Sequence, residues 1–336
     1  MNAAPPMPEG SDTAQAFGVV IIGRNEGERL KRCVASATSL ALHVVYVDSG
    51  STDGSAAWAS QQGISVVNLD MTKPFTAARA RNEGFARLMV QAPELQFVQF
   101  VDGDCEIVDG WLRGALEFLH LHPQVAAAFG RRRERFPERS VYNRLCDQEW
   151  DRPVGRTRNC GGDVMMRSAA LSAAGGYRDE LIAGEEPELC VRLRAAGWEI
   201  WRLPLEMTLH DAAMTRFGQW WKRAMRGGFA FAEGAWLHGA PPERHGVSQT
   251  RSAVLWGVAL PIIIVLLSVW NPVALWLLMA YPLQVLRLAL RDGIRDPARR
   301  VRAMFFVLSR FPEAQGVLKF WADRLRQRRS ALIEYK

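Results

Sequence analysis

Four short apolar runs, each stopped by a polar or glycine-bearing cluster and separated by stretches of helical period, constrain this chain most. Phe17 to Ile22 (FGVVII), His43 to Val47 (HVVYV), Ile64 to Val67 and Phe97 to Val101 (FVQFV) are mostly apolar without alternation. A strand apolar on both sides is buried on both sides, as in a parallel sheet covered by helices. Between the runs, Glu28 to Leu40 puts Leu30, Cys33, Val34 and Ala37 on one helical face. Ala56 to Gln62, Ala77 to Met89 and Trp111 to Leu121 also have helical spacing. The expected class is α/β: a Rossmann-like, mainly parallel central sheet with helices on both faces. Ligands of such sheets lie beyond the carboxyl ends of strands. Asn25-Glu26, Asp48 to Asp53 and Asp102-Gly103-Asp104 are all at such ends.

The C-terminal third has another texture. Ala253 to Trp270 carries no charge, Asn271-Pro272 is a turn signal, and Val273 to Leu286 is apolar again up to Arg287. Each arm has about the length needed to cross a bilayer core. Residues 251–290 therefore read as an apolar helical membrane hairpin, with basic flanks that keep both ends on the cytoplasmic side. Two buried core helices of a soluble domain would look the same. From Arg287 to Lys336 there are 13 Lys+Arg against 5 Asp+Glu, a net of +8; the rest of the chain then nets −1, since the whole is +7. A body near neutrality with a basic end is not the pattern of a nucleic-acid binder. It fits an interfacial tail, 291–336, against anionic membrane lipids. Arg131 to Arg135 border a phosphate or are solvated. Residues 1–16 lack periodicity and a signal-peptide pattern, and are expected to be disordered. Five scattered cysteines without a CxxC argue against a disulfide framework.

Asp102-Gly103-Asp104 is the sharpest local signal. Two carboxylates flank a glycine after an apolar strand, an arrangement that suits a hard divalent cation, Mn²⁺ or Mg²⁺, bridging to a diphosphate. An acidic β-turn uses the same residues. The context is an ordered series: Asn25-Glu26, Val47-Asp-Ser-Gly-Ser-Thr-Asp-Gly-Ser55, Ala80-Arg81-Asn82-Glu83-Gly84, the Asp-Gly-Asp, Gly161-Gly162-Asp163, Gly175-Gly176-Tyr177, and Gly184-Glu-Glu-Pro-Glu-Leu-Cys-Val-Arg-Leu193. In this order, from about Val19 to His210, the chain resembles the inverting glycosyltransferases of family 2. That resemblance implies a GT-A fold, here over residues 17–245.

The roles that follow are those the resemblance implies. Asn25, Glu26, Asp48, Ser49, Asp53, Arg81, Asp102 and Gly103 would form the nucleotide-sugar donor site, Asp48 facing the base. Asp104, Asp102 and His210 would hold the metal. Glu186 falls where the family has its catalytic Asp, and Glu185 where the acidic neighbour stands. Ser49 stands where the family usually has a second Asp. An inverting transfer needs one carboxylate to take the acceptor proton. The same acids also suit the first turn of a helix, where the dipole favours negative charge. Processive members carry Gln-x-x-Arg-Trp where this chain has Gln219-Trp220-Trp221-Lys222-Arg223, so the order differs. Trp220 and Trp221 could stack on an acceptor sugar, with Arg223 and Arg226 on a phosphate. They could equally lie at the membrane interface.

The expected activity is metal-dependent transfer of a sugar, from a UDP-sugar by preference, to a lipid-linked or glycan acceptor in exopolysaccharide or lipopolysaccharide assembly at the cytoplasmic face of the inner membrane. Transfer onto polyprenyl phosphate and a catalytically inactive GT-A scaffold are the alternatives. A dinucleotide oxidoreductase is disfavoured, because no GxGxxG follows the first strand.

Overall fold

The computed structural model describes residues 17–327 and Ile333. The expected disordered start, 1–16, and the end of the basic tail lie outside the described residues. The chain divides into two compact units, the first ending at Ala213 and the second beginning at Met214. The boundary expected near 245 thus falls inside the second unit. The reason is the long helix Phe217–His238, which packs along Arg310–Leu325 and so belongs with the C-terminal helices.

In the first unit the elements run β1 (Phe17–Gly23), α1 (Glu28–Thr38), β2 (His43–Asp48), α2 (Ser55–Gln61), β3 (Ser65–Asn68), α3 (Ala77–Gln91), β4 (Phe97–Asp102), β5 (Cys105–Ile107), α4 (Trp111–Leu121), β6 (Val125–Glu134), α5 (Val141–Trp150), β7 (Gly155–Thr157), β8 (Val164–Arg167), α6 (Ser168–Ala173), α7 (Glu185–Ala195) and β9 (Glu199–His210). One sheet has the order β3-β2-β1-β4-β8-β6-β9-β5, with β7 also on β9. The half made of β3, β2, β1 and β4 is parallel, as its apolar strands require. Val19, Val20, Ile21, Val45, Val47 and Val98 are fully buried there. The other half is mixed. Strand β8 runs antiparallel to β4 and β6, and β5 and β7 run antiparallel to β9. The sheet is therefore less parallel than expected, with β5, β7 and β8 entering antiparallel.

This topology gathers the polar strand ends. Asp48 and Asp102 are the last residues of β2 and β4, flanking β1. Cys105 pairs in register with His210, so the acidic turn after β4 meets the end of β9.

The second unit is helical: α8 (Phe217–His238), α9 (Val247–Val254), a π turn (Leu255–Ala259), α10 (Leu260–Trp270), a 3₁₀ stretch (Pro272–Met279), α11 (Ala280–Asp292), α12 (Pro297–Leu308) and α13 (Arg310–Leu325). Helices α8 and α13 cross closely because Gly228 and Gly316 face the partner backbones. A Cβ at Gly228 would strike the Glu313 carbonyl, and one at Gly316 the Met225 carbonyl. Two helical stretches, Val247–Trp270 and Pro272–Asp292, are long and apolar enough to cross a membrane. Only 11% of each apolar window is buried, so neither is a core helix of this unit.

Candidate active site

Beyond the ends of β1, β2 and β4, two loops are tied together by polar side chains. Asn25 Oδ1 accepts from Thr52 N at 2.7 Å, and Asn25 N donates to Ser51 Oγ at 2.9 Å. Asp48 is buried. Its carboxylate accepts from Tyr46 Oη at 2.9 Å and from the amides of Gly50 and Ser51 at 3.0 and 2.8 Å. It closes the turn that Ser49 continues, with Ser49 N on the Gly23 carbonyl. Asp53 accepts from Ser55 N at the start of α2, and Glu26 pairs with Arg29 at 2.8 Å. These donor-site candidates thus share one end of the sheet, and Asp48 has both oxygens engaged in shaping its loop.

The centre of the site is a buried charge cluster around two arginines. Arg81, on α3, is almost fully enclosed. Its Nη2 lies 3.0 Å from Asp102 Oδ1, and its Nη1 lies 3.0 and 3.1 Å from Glu185 and Glu186. The guanidinium therefore ties the β4 turn to the first turn of α7. Arg132, on β6, lies 3.0 Å from Asp102 Oδ2 and 2.7 Å from Asp163 Oδ1, and its ring neighbour is Trp150 at 5.4 Å. Asp163 is buried and also accepts from Asp102 N at 3.0 Å and Thr208 Oγ1 at 2.6 Å. Gly162 makes room for this packing. A Cβ there would collide with the Arg81 guanidinium and come within 3.0 Å of Glu186 Oε1.

A second group adjoins the first. His210 Nε2 lies 3.3 Å from Asp104 Oδ2, and its Nδ1 lies 3.4 Å from Glu134 Oε2. Glu134 is buried and further held by Asn143 Nδ2 at 3.1 Å and Ala212 N at 3.1 Å. Taken together, Asp102, Asp104, Glu134, Asp163, Glu185 and Glu186 are six carboxylates facing two guanidinium groups and one imidazole. The cluster is thus deficient in positive charge. The Asp104 carboxylate and the His210 imidazole are ligands that suit Mn²⁺ or Mg²⁺. Cys105 lies within the same group, but burial pushes its thiol well above the usual range, so it stays neutral.

The acidity of the carboxylates is divided. Burial alone would raise Asp102, but Arg81 and Arg132 hold it well below the ordinary carboxylate range. Burial pushes Glu186 up to about 7, helped by the charge of Glu185 and opposed by Arg81. The Glu186 side chain is also the more open of the two, 15% exposed against 5% for Glu185. Helix α7 is fixed from behind by buried Glu188, which takes Arg178 at 2.7 Å and Arg192 at 2.7 Å. Arg192 also donates to the Ala174 carbonyl. Pro187 is the third residue of the helix, where its missing N–H costs no intrahelical bond.

Several of the residues singled out in the sequence have partners within the chain. Arg81 contacts carboxylates on three sides. Arg131, Arg132, Arg133 and Arg135 are each paired with acids: Asp147 and Asp151, Asp102 and Asp163, Asp147 and Glu206, and Glu106. The acceptor candidates Trp220, Trp221, Arg223 and Arg226 all lie on α8 of the second unit. Trp220 is buried, edge-on to Phe305 at 5.0 Å, and Trp221 Nε1 donates to Gln315 at 2.7 Å. Glu134, and the roles of Asp163 and Gly162, were not read from the sequence. The Gly-Gly-Asp run was the only signal for Asp163 and Gly162, and Glu134 had none.

Residues 18–173 match the family described as glycosyl transferase family 2. The chain is 27% identical over 243 residues to a pre-mycofactocin glycosyltransferase of Mycobacterium tuberculosis (strain CDC 1551 / Oshkosh), an overlap of 68% of this chain and 50% of the relative. It is 28% identical over 202 residues to the succinoglycan biosynthesis protein ExoA of Rhizobium meliloti (strain 1021), covering 56% of this chain and 61% of that protein. The chain thus spans half to three-fifths of the length of these relatives. A solved mannosyltransferase of Pyrobaculum calidifontis, PcManGT in complex with GDP-Man and Mn²⁺, superposes over 92% of this chain and 88% of its own at TM-score 0.59 and 18% identity, which is a likeness of fold. The first unit thus has the fold of GT-A glycosyltransferases, and residues 18–173 within it are similar to glycosyl transferase family 2.

Proposed function

We propose that this chain moves one sugar from a nucleotide-sugar donor to an acceptor hydroxyl in glycan biosynthesis. The observation that carries the reading is the division of acidity in one cluster. Asp102 is held ionised, whereas Glu186, next to it through Arg81, is poised near neutrality. A base that takes a proton from a hydroxyl works best with a pKa near the working pH. Glu186 would take the acceptor proton. Arg81 would hold Glu186 and Asp102 in fixed relation, so that donor and base face each other without searching. Asn25, Glu26, Asp48, Ser49 and Asp53 would frame the nucleoside at the ends of β1 and β2.

Asp104 and His210, with Asp102, would hold the divalent cation. When bound, such an ion stabilises charge building on a departing diphosphate. The charge-deficient cluster supports this reading, and the Mn²⁺ in the solved mannosyltransferase accords with it. That protein binds a GDP-sugar, so UDP- and GDP-sugars are both candidate donors. The name of one relative, a succinoglycan biosynthesis protein, favours a glycan acceptor. The apolar helices of the second unit favour a lipid-linked one, with the chain held at the cytoplasmic face of the inner membrane.

The test is transfer itself. Membranes carrying the full chain are incubated with labelled UDP- and GDP-sugars, with Mn²⁺ and with chelator. Label passing into a lipid or glycan fraction from one donor, absent in Glu186→Gln, supports the reading. Folded protein that consumes neither donor contradicts it and favours a binding or scaffold role.

A further inference from the structure

The hairpin of the second unit raises the question of how deep it reaches. We propose that it crosses the entire hydrocarbon layer and places its Trp270-Asn271-Pro272 turn among the headgroups of the opposite face. This rests on the membrane placement proposed above.

Three observations carry it. The first is length. From Arg251, the last charge before the turn, to Trp270 is 19 residue steps, roughly 28 Å at helical rise. The return arm has only 15 steps from Pro272 to Arg287. As an α-helix it would cover about 22 Å. Its first eight residues, Pro272–Met279, are instead wound as a 3₁₀ helix, an unusually long run. At the larger 3₁₀ rise the arm reaches about 26 Å. The tighter winding thus brings two arms of unequal residue count to nearly equal span, close to the ~30 Å hydrocarbon core. A hairpin held in one leaflet needs only about 15 Å.

The second is the distribution of exposed side chains. Ile262, Ile263, Val265, Leu266, Leu267 and Val269 are all exposed, at positions covering most of the circumference of α10. A helix lying in the interface keeps a polar face; this one has none. On the return arm Leu283 and Leu286 are exposed. Leu288 and Ala289 are buried against Ala303 and Val307 of α12, so the arm re-enters protein packing next to Arg287.

The third is the tip. Trp270 is 90% exposed. Indoles prefer the headgroup level, where the ring is half immersed and its N–H is hydrated. Asn271, whose Oδ1 caps Val273 N at 3.0 Å, and the carbonyls ending α10 also need a polar surrounding. A turn stopped at mid-bilayer would strand these groups in hydrocarbon. Arg251 at one end and Arg287 and Arg291 at the other keep both ends on the same face.

The experiment uses the full chain with a single added cysteine at the turn, Asn271→Cys or Val269→Cys, or at the near side, Gln249→Cys. Wild type gives the background of its five buried cysteines. Intact spheroplasts are treated with a membrane-impermeant maleimide, before and after lysis. We expect both turn variants to label before lysis at least tenfold above Gln249→Cys, which labels only afterwards. Turn cysteines that stay protected until detergent is added, in protein that sediments with membranes, overturn the crossing and leave the membrane placement standing. Turn and near-side cysteines that react alike in a soluble fraction overturn both.

Discussion

Replacing Arg81 with methionine removes the one cation shared by Asp102, Glu185 and Glu186 while keeping a side chain of similar reach. Asp102 retains Arg132 at 3.0 Å, but the two glutamates lose the guanidinium 3.0 and 3.1 Å away. Breaking a buried ion pair from one side costs about 3–5 kcal/mol. For a unit of this size each kcal/mol moves the melting point by about 2–4 °C, so the fall at pH 8 is roughly 6–20 °C. The loss depends on pH in a definite direction. Glu186 is already pushed up to about 7 with Arg81 opposing the rise. Without Arg81 it rises further. A carboxyl raised in the folded state favours stability at low pH, below the unfolded value, and loses it as pH climbs through the folded value. The deficit of the variant against wild type is therefore larger at pH 8 than at pH 5, where Glu186 carries its proton. Heat-pulse proteolysis of the full chain, with peptides of the first unit read by mass spectrometry, measures both. An equal deficit at both pH values would refute the charge argument and make Arg81 a packing residue.

Other outcomes follow from the same geometry. The kcat/KM of wild type should fall tenfold per pH unit below about 7, as Glu186 takes a proton; a profile flat down to pH 5 would exclude it as the base. Glu134→Gln should weaken Mn²⁺ binding, read by electron paramagnetic resonance, by about tenfold to a hundredfold, because the carboxylate behind a metal-binding imidazole fixes its orientation. Unchanged Mn²⁺ affinity would make Glu134 a fold residue only. Gly228→Ala should destabilise the second unit by about 1–3 kcal/mol, seen as earlier proteolysis of α8 and α13, since the added methyl meets the Glu313 backbone. Unaltered proteolysis would mean that the two helices do not cross there.

The parallel half of the sheet was legible because its signal is local. Each of β1, β2 and β4 is a continuous apolar run closed by its own polar turn, so strand, direction and ligand end can all be read within ten residues. The mixed half was not. Strands β5 and β7 are three residues long, and β6 ends in Arg-Arg-Arg-Glu, which by itself reads as solvated surface. What pairs those arginines are acids far along the chain, such as Asp163 for Arg132 and Glu206 for Arg133. Arg81 illustrates the same limit. Its place before the acidic turn is visible in sequence, but its partners are 21 and 104 residues away. Glu134 had no motif at all, because it touches His210 from behind. The hairpin was legible through length and apolarity, whereas its 3₁₀ winding, which decides its span, left no pattern in the residues.

The most direct test of the proposed donor site is calorimetric binding of UDP and GDP to the detergent-solubilised full chain, with and without Mn²⁺, for wild type and Asp104→Ala. The account predicts that one nucleotide binds only with Mn²⁺ and that the variant loses this binding while keeping its melting temperature. Binding of neither nucleotide to folded wild type, or equal binding by Asp104→Ala, would contradict it.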